Sequence, residues 1–137
     1  MKRRSFFGKM ALFTLVSTLF SREAYSKDKA MKKMDLKEGE IQHMVIFKLP
    51  YPLGSDKAEK FLKDGTRILT GIPVVKEFQA FKQVSPKNDY HYGFSMVFSN
   101  QANYTTYNEH PDHVAFVEDR WKKEVTDFLE IDFIKPF

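Results

Sequence analysis

The stretch Tyr107-Asn108-Glu109-His110-Pro111-Asp112-His113 concentrates the side chains of this chain that could do chemistry. It holds one tyrosine and two of the four histidines, around a proline that must interrupt any preceding helix. A phenol and an imidazole placed across such a break can point into one cavity. There His113 can act as a general base, because imidazole titrates near working pH, and the Tyr107 hydroxyl can orient it or bind a developing enolate. The same pair can equally bind a ligand without chemistry, or seal the helix break as core residues bonded to each other or to backbone. His43 lies on an apolar strand pattern, which fits a buried neutral histidine bonded to backbone. His110 precedes Pro111, so its backbone is held extended, and it is expected to cap or brace the turn.

Three histidines can hold zinc, but His110 and His113 straddle a helix start, which is a poor ligand spacing, and no metal is expected. No residue marks a haem site, and no Ser-His-Asp order, phosphate-cradling glycine loop or paired-carboxylate motif is present. No cofactor is expected.

The first 26 residues read as an export signal. Lys2, Arg3, Arg4 and Lys9 form a basic start, and Met10 to Phe20 is an apolar run too short to span a bilayer. Ala24-Tyr25-Ser26 offers small residues for cleavage after Ser26. Arg3-Arg4-Ser5-Phe6-Phe7-Gly8-Lys9 also resembles a twin-arginine signal; an ordinary secretory signal and a retained membrane anchor are the alternatives. The expected location is periplasmic or extracellular, with no membrane association after cleavage. Cleavage would remove five of the 22 basic residues and one of the 18 acidic ones, leaving seventeen of each. The pI near 9.2 then belongs to the signal, and no basic patch argues for nucleic acid. The chain has no cysteine, so stability must come from packing. The length of chain beyond Ser26 is enough for one domain.

Lys27 to Glu40 is charged and without apolar period, and reads as a linker. From Ile41 to Phe137 the pattern resolves into four strands and three helices, the last two helices consecutive. Ile41 to Leu49 is a strand with an apolar centre on both faces. Ser55 to Leu69 is a helix whose Asp56 and Glu59 have capping-box spacing. Ala58, Phe61, Leu62, Ile68, Leu69 and Ile72 form its buried stripe. Gly65 falls on that stripe and implies close packing or room for a ligand. Val74 to Val84 and Tyr92 to Phe98 are strands. A short helix capped by Ser99 or Asn100 ends near Tyr107. Pro111 opens another, with Val114, Val117, Trp121 and Val125 inward. Phe128 to Ile134 is the last strand, with Leu129, Ile131 and Phe133 on one face and Glu130 and Asp132 on the other. The order is ferredoxin-like, β-α-β-β-α-β: an α+β fold with one four-stranded antiparallel sheet and helices on one face. The other face would expose Met44, Ile46, Leu129, Ile131 and Phe133, too apolar for a monomer surface, so a homodimer packed sheet to sheet is expected.

From His43 to Phe133 the chain resembles the stress-responsive A/B-barrel (Dabb) family of dimeric α+β barrels. The resemblance rests on His43-Met44-Val45-Ile46-Phe47, Ile72-Pro73, the Tyr107…His110-Pro111-Asp112-His113 segment with Val114 and Phe116 after it, and Ile131-Asp132-Phe133. It is specific for fold and weak for activity. Within the family it is similar to plant polyketide cyclases, which close a linear polyketide acid by an aldol-type condensation. That similarity implies catalytic roles for Tyr107, His113 and His43, with Tyr92 at the position of a further cavity histidine. It also implies a pocket wall of Phe61, Leu62 and Gly65 from the first helix and of Phe78 and Phe94 from the sheet. Phe116, Val117 and Phe128 would complete the wall, with Gly65 enlarging the space and Glu130 turned toward it. Three functions stay open: a binder of a small apolar or aromatic molecule, a cyclase-like lyase, and a structural stress-protective protein without ligand.

Overall fold

The computed structural model describes residues 35–137. The expected signal segment and residues 27–34 of the expected linker lie outside the described residues. The end of that charged stretch is folded against the sheet. Glu40 closes a turn by accepting from the Lys37 backbone N–H (2.9 Å), and its carboxylate pairs with Lys76 (2.7 Å). Leu36–Phe137 forms one compact unit.

Its elements are β1 (Ile41–Lys48), α1 (Asp56–Thr70), β2 (Lys76–Lys82), β3 (Tyr92–Phe98), α2 (Gln101–Glu109), α3 (Pro111–Phe116) and β4 (Asp127–Phe133). Between α3 and β4 the chain continues helically through a π-helical segment, Val117–Trp121, and a last turn, Lys122–Glu124. The sheet order is β2-β3-β1-β4, antiparallel throughout. This is the expected ferredoxin-like α+β fold.

Alternation along β1 decides the two faces. Ile41, His43, Val45 and Phe47 are buried beneath the helices, whereas Gln42, Met44, Ile46 and Lys48 are half-buried on the open face. In β4, Phe128, Glu130 and Asp132 pair in register with Phe47, Val45 and His43, so they share the helix side. Leu129, Ile131 and Phe133 share the open face with Ile46, Met44 and Gln42. The helix-side core is largely aromatic. Phe47 packs on Phe94 and Trp121 with ring centroids 5.0 and 4.9 Å apart, and Phe61 lies 5.7 Å from both Phe47 and Phe116. Such tilted ring pairs add roughly 0.5–1.5 kcal/mol each beyond burial.

Three local readings need correction. The N-cap of α1 is Ser55, whose side chain accepts from the Ala58 N–H. Asp56 is instead in the first turn, where a carboxylate complements the helix dipole. The second strand is shorter than expected, running from Lys76 to Lys82, and a bulge between Lys76 and Gln79 interrupts its pairing, with Glu77 at φ +50°. Val114 is exposed, not inward. The later residues of the expected stripe, Trp121 and Val125, do pack on the core, on either side of the point where the helix passes out of its π-helical turn. Trp121, the last residue of that turn, packs on Phe47.

Candidate functional site

Two helix starts fix the motif. Asn100 caps α2 by accepting from the Asn103 N–H (2.8 Å), and His110 caps α3 by accepting at Nδ1 from the Asp112 N–H (3.2 Å). Pro111 takes the first position of α3. His110 is therefore spent on the turn. Tyr107, at the end of α2, is buried with 3 % exposure. His113 stacks beside it with ring centroids 4.2 Å apart, yet the two share no hydrogen bond; His113 Nδ1 instead donates to the Asn108 carbonyl (3.1 Å). That bond leaves Nε2 as the acceptor nitrogen of the neutral ring. Burial holds His113 below the ordinary imidazole value, the Asn108 carbonyl opposing it only in part.

His43 is the better-ordered imidazole. It is 3 % exposed, and Nδ1–H donates to Asp132 Oδ1 at 2.7 Å, one strand away. The Tyr104 hydroxyl donates to Asp132 Oδ2 (3.1 Å) and lies 3.0 Å from the same Nδ1. Asp132 thereby sets ring orientation and tautomer, which leaves Nε2 as the acceptor nitrogen of the neutral ring. Glu130 approaches this nitrogen to 3.9 Å, too far for a hydrogen bond. Tyr104 is pushed well above the ordinary phenol range by burial and by the Asp132 charge. Tyr107 is raised likewise, by burial first and then by Tyr104 and Glu130. Both phenols therefore keep their protons at neutral pH.

These groups meet in a cavity of about 370 Å³ between the sheet and the helices. Its polar lining is His43, Tyr107, His113, Lys122 and Glu130. Its wall is largely rings, from Phe94, Phe116, Trp121 and Phe128. The Tyr107 hydroxyl makes no hydrogen bond among the described residues, so it is available to whatever occupies the space.

All three residues given catalytic roles, His43, Tyr107 and His113, line this cavity, as do Phe94, Phe116, Val117 and Phe128 of the expected wall. Phe61, Leu62, Gly65, Phe78 and Tyr92 do not. Phe61 is fully buried behind the lining, Phe78 packs on Phe94 at 5.2 Å, and the Tyr92 hydroxyl accepts from the Gly54 N–H (3.1 Å). Gly65 does not widen the space. A Cβ there would lie 2.9 Å from Phe94 Cζ and 3.2 Å from Phe116 Cζ, so the missing side chain lets α1 close on two wall rings. Among the described residues no group of three His, Cys, Asp or Glu side chains is arranged to hold a metal.

The sequence assigns no site role to Tyr104, Asp132 or Trp121, although it places Trp121 inward and Asp132 on the same strand face as Glu130. Tyr104 stands one helical turn before Tyr107, a spacing that puts both on one face of α2. Asp132 could be found only with the β1–β4 register, which aligns it with His43.

The family model for the stress responsive A/B barrel domain matches residues 41–135. The chain belongs to this family. A Dabb family protein with a ferredoxin-like fold from Mesorhizobium loti is 51% identical, with a TM-score of 0.71 over 73% of this chain and 100% of that one. A dimeric ferredoxin-like protein of unknown function from Thermobifida fusca is 17% identical (TM-score 0.60, 73% and 94% of the two chains). A hydroxynitrile lyase from Passiflora edulis is 12% identical (TM-score 0.65, 74% and 98%). At these two identities the likeness is one of fold. No curated protein matches the sequence significantly.

Proposed function

We propose that the protein is an exported homodimer that takes up one small apolar or aromatic molecule per domain, between the sheet and the helices. The carrying observation is the cavity itself: about 370 Å³, walled by rings, with His43, Tyr107 and His113 converging on it. Ligand sites typically span about 300–1,000 Å³ with this mixture of apolar wall and few polar groups. An open cavity argues against a purely structural stress protein, whose interior gains nothing from the space. Binding of the neutral dye Nile red tests the reading. One saturable site per chain is expected, weakened by Phe116→Trp, which fills the space; absence of uptake by the folded protein ends it.

The dimer is supported by the open sheet face. Leu129, Ile131, Phe133 and Phe81 are exposed there at 37–47 %, beside half-buried Met44 and Ile46, a contiguous apolar face of the kind that marks an interaction surface. The Thermobifida relative is described as dimeric. Light scattering should give twice the chain mass, and Ile131→Asp should split or unfold the dimer by burying an unpaired charge. Export rests on the amino-terminal sequence, and intact-mass analysis of protein from the cell envelope or medium should find a chain beginning at Lys27.

One observation favours a second reading, acid–base chemistry on the bound molecule. His43 is held by Asp132 in the way a base is held by its orienting carboxylate, with the Tyr107 hydroxyl beside the same cavity. A cyclase-like lyase would then use His43 together with Tyr107 and His113 on a carbon acid. Turnover of a poly-β-keto substrate should fall about 10²–10⁴-fold in His43→Ala, whereas a binding protein would show no turnover to lose.

A further inference from the structure

The charges around the cavity do not cancel, and this deepens the binding reading on which it rests. The Lys122 ammonium is taken by Glu118, and the Asp132 carboxylate is shared between His43 and Tyr104. Glu130 is left with no hydrogen-bond partner among the described residues; the one basic side chain within 4 Å of its carboxylate among them is His43, at Nε2 (3.9 Å). Its side chain is 59 % exposed while lining the cavity, so it stands at the mouth. Phe128, two residues away on the same face of β4, is also half exposed there, and the Trp121 ring meets it edge-on at 5.6 Å. The buried Tyr107, whose hydroxyl has no hydrogen-bond partner among the described residues, lines the same space.

A carboxylate beside aromatic rings attracts a cation twice, through its charge and through the ring quadrupoles. The same mouth repels an acid. We propose that the cavity selects molecules with an apolar or aromatic body and a protonated amine, the body enclosed against Phe94 and Phe116 and the ammonium held at the mouth by Glu130 with Phe128 and Trp121. The Tyr107 hydroxyl then serves a polar substituent at the far end of the ligand.

Three probes of one shape test this: 2-phenylethylammonium, 2-phenylethanol and phenylacetate, titrated calorimetrically into the full chain at low salt. The ammonium should bind at least ~10-fold more tightly than the alcohol, and the acid most weakly. Glu130→Gln should erase the preference for the ammonium, and Glu130→Asp, which keeps the charge, should keep it. Circular dichroism melts verify that both variants are folded. Equal affinities, or an acid that binds best, overturn the proposal while leaving the cavity as a ligand site. If the folded protein takes up neither Nile red nor any of the three probes, the ligand-site reading fails with it.

Discussion

Asp132 Oδ1 lies 2.7 Å from His43 Nδ1, between two residues paired directly across β1 and β4. The pair joins the first and last strands at the cavity, and it holds a buried ring packed beside Phe98 and Tyr104. Asp132→Ala removes the charged acceptor and leaves the buried N–H only the Tyr104 hydroxyl, 3.0 Å away. That should lower stability by about 1–3 kcal/mol, read as a shift of the urea midpoint at unchanged slope. His43→Ala made in the same background should then cost less than it does alone, because the two act as one unit. Additive losses would show that the bond carries no stability.

Gly65 gives a prediction of opposite sign to the usual rule. Alanine in place of a mid-helix glycine normally stabilises by up to about 1 kcal/mol. Here the new methyl would press on the Phe94 and Phe116 rings at 2.9 and 3.2 Å, and overpacking a filled core costs about 1–3 kcal/mol. Gly65→Ala should therefore melt below the wild type and bind Nile red more weakly, since both rings would be pushed toward the cavity they line. A raised melting temperature would mean that the rings move aside freely.

The fold was legible because period and punctuation agree in most segments. The alternation of β1 and β4 assigned each residue to its face, and Pro111 with Asn100 placed the helix starts. The site was legible only where a motif gathered it. Tyr107 and His113 stand within one short stretch, and His43 entered through the family resemblance. Asp132 and Tyr104 come from distant segments and meet His43 only through strand register and helix docking, which no local pattern encodes. Gly65 was ambiguous for a related reason: a missing side chain marks a close approach or a space, and only its neighbours decide. In the stripe after Pro111 only Val114 was misplaced: it stands in the first turn of a short helix, where an apolar residue in the periodic pattern is no guarantee of burial.

His113 makes stability depend on pH. Burial lowers its folded value below 6.5, so between 6.5 and that lower value the unfolded chain binds more protons than the folded one. Stability then rises with pH through this window: its contribution is present above pH 6.5 and is lost as pH falls toward the folded value. Urea midpoints measured from pH 5 to 7.5 should climb for the wild type and climb less for His113→Asn. Identical slopes in the two proteins would mean that His113 does not titrate across folding.

Arg120 braces the segment that carries the cavity wall. It pairs with Asp64 of α1 (2.6 Å) and with Glu124, which also accepts from the Tyr51 hydroxyl (2.9 Å). The hydrogen bonds from Lys60 and Arg120 hold the Asp64 carboxyl down to about 2. One guanidinium thus ties α1 to the π-helical turn, and through Glu124 to the loop after β1. Arg120→Met keeps an unbranched apolar side chain and removes the guanidinium, which makes both ion pairs and lies 5.5 Å over the Phe61 ring. It should cost about 1–2 kcal/mol, more than an exposed pair and less than a fully buried one, because the side chains keep about a fifth of their exposure. The chain's single tryptophan, Trp121, is the next residue and lines the cavity, so its emission reports the same event. A red shift in Arg120→Met, with a weaker response to 2-phenylethanol, is the expected result. Unchanged emission and binding would show that the π-helical turn holds its place through ring packing on Phe47 and Phe61 alone.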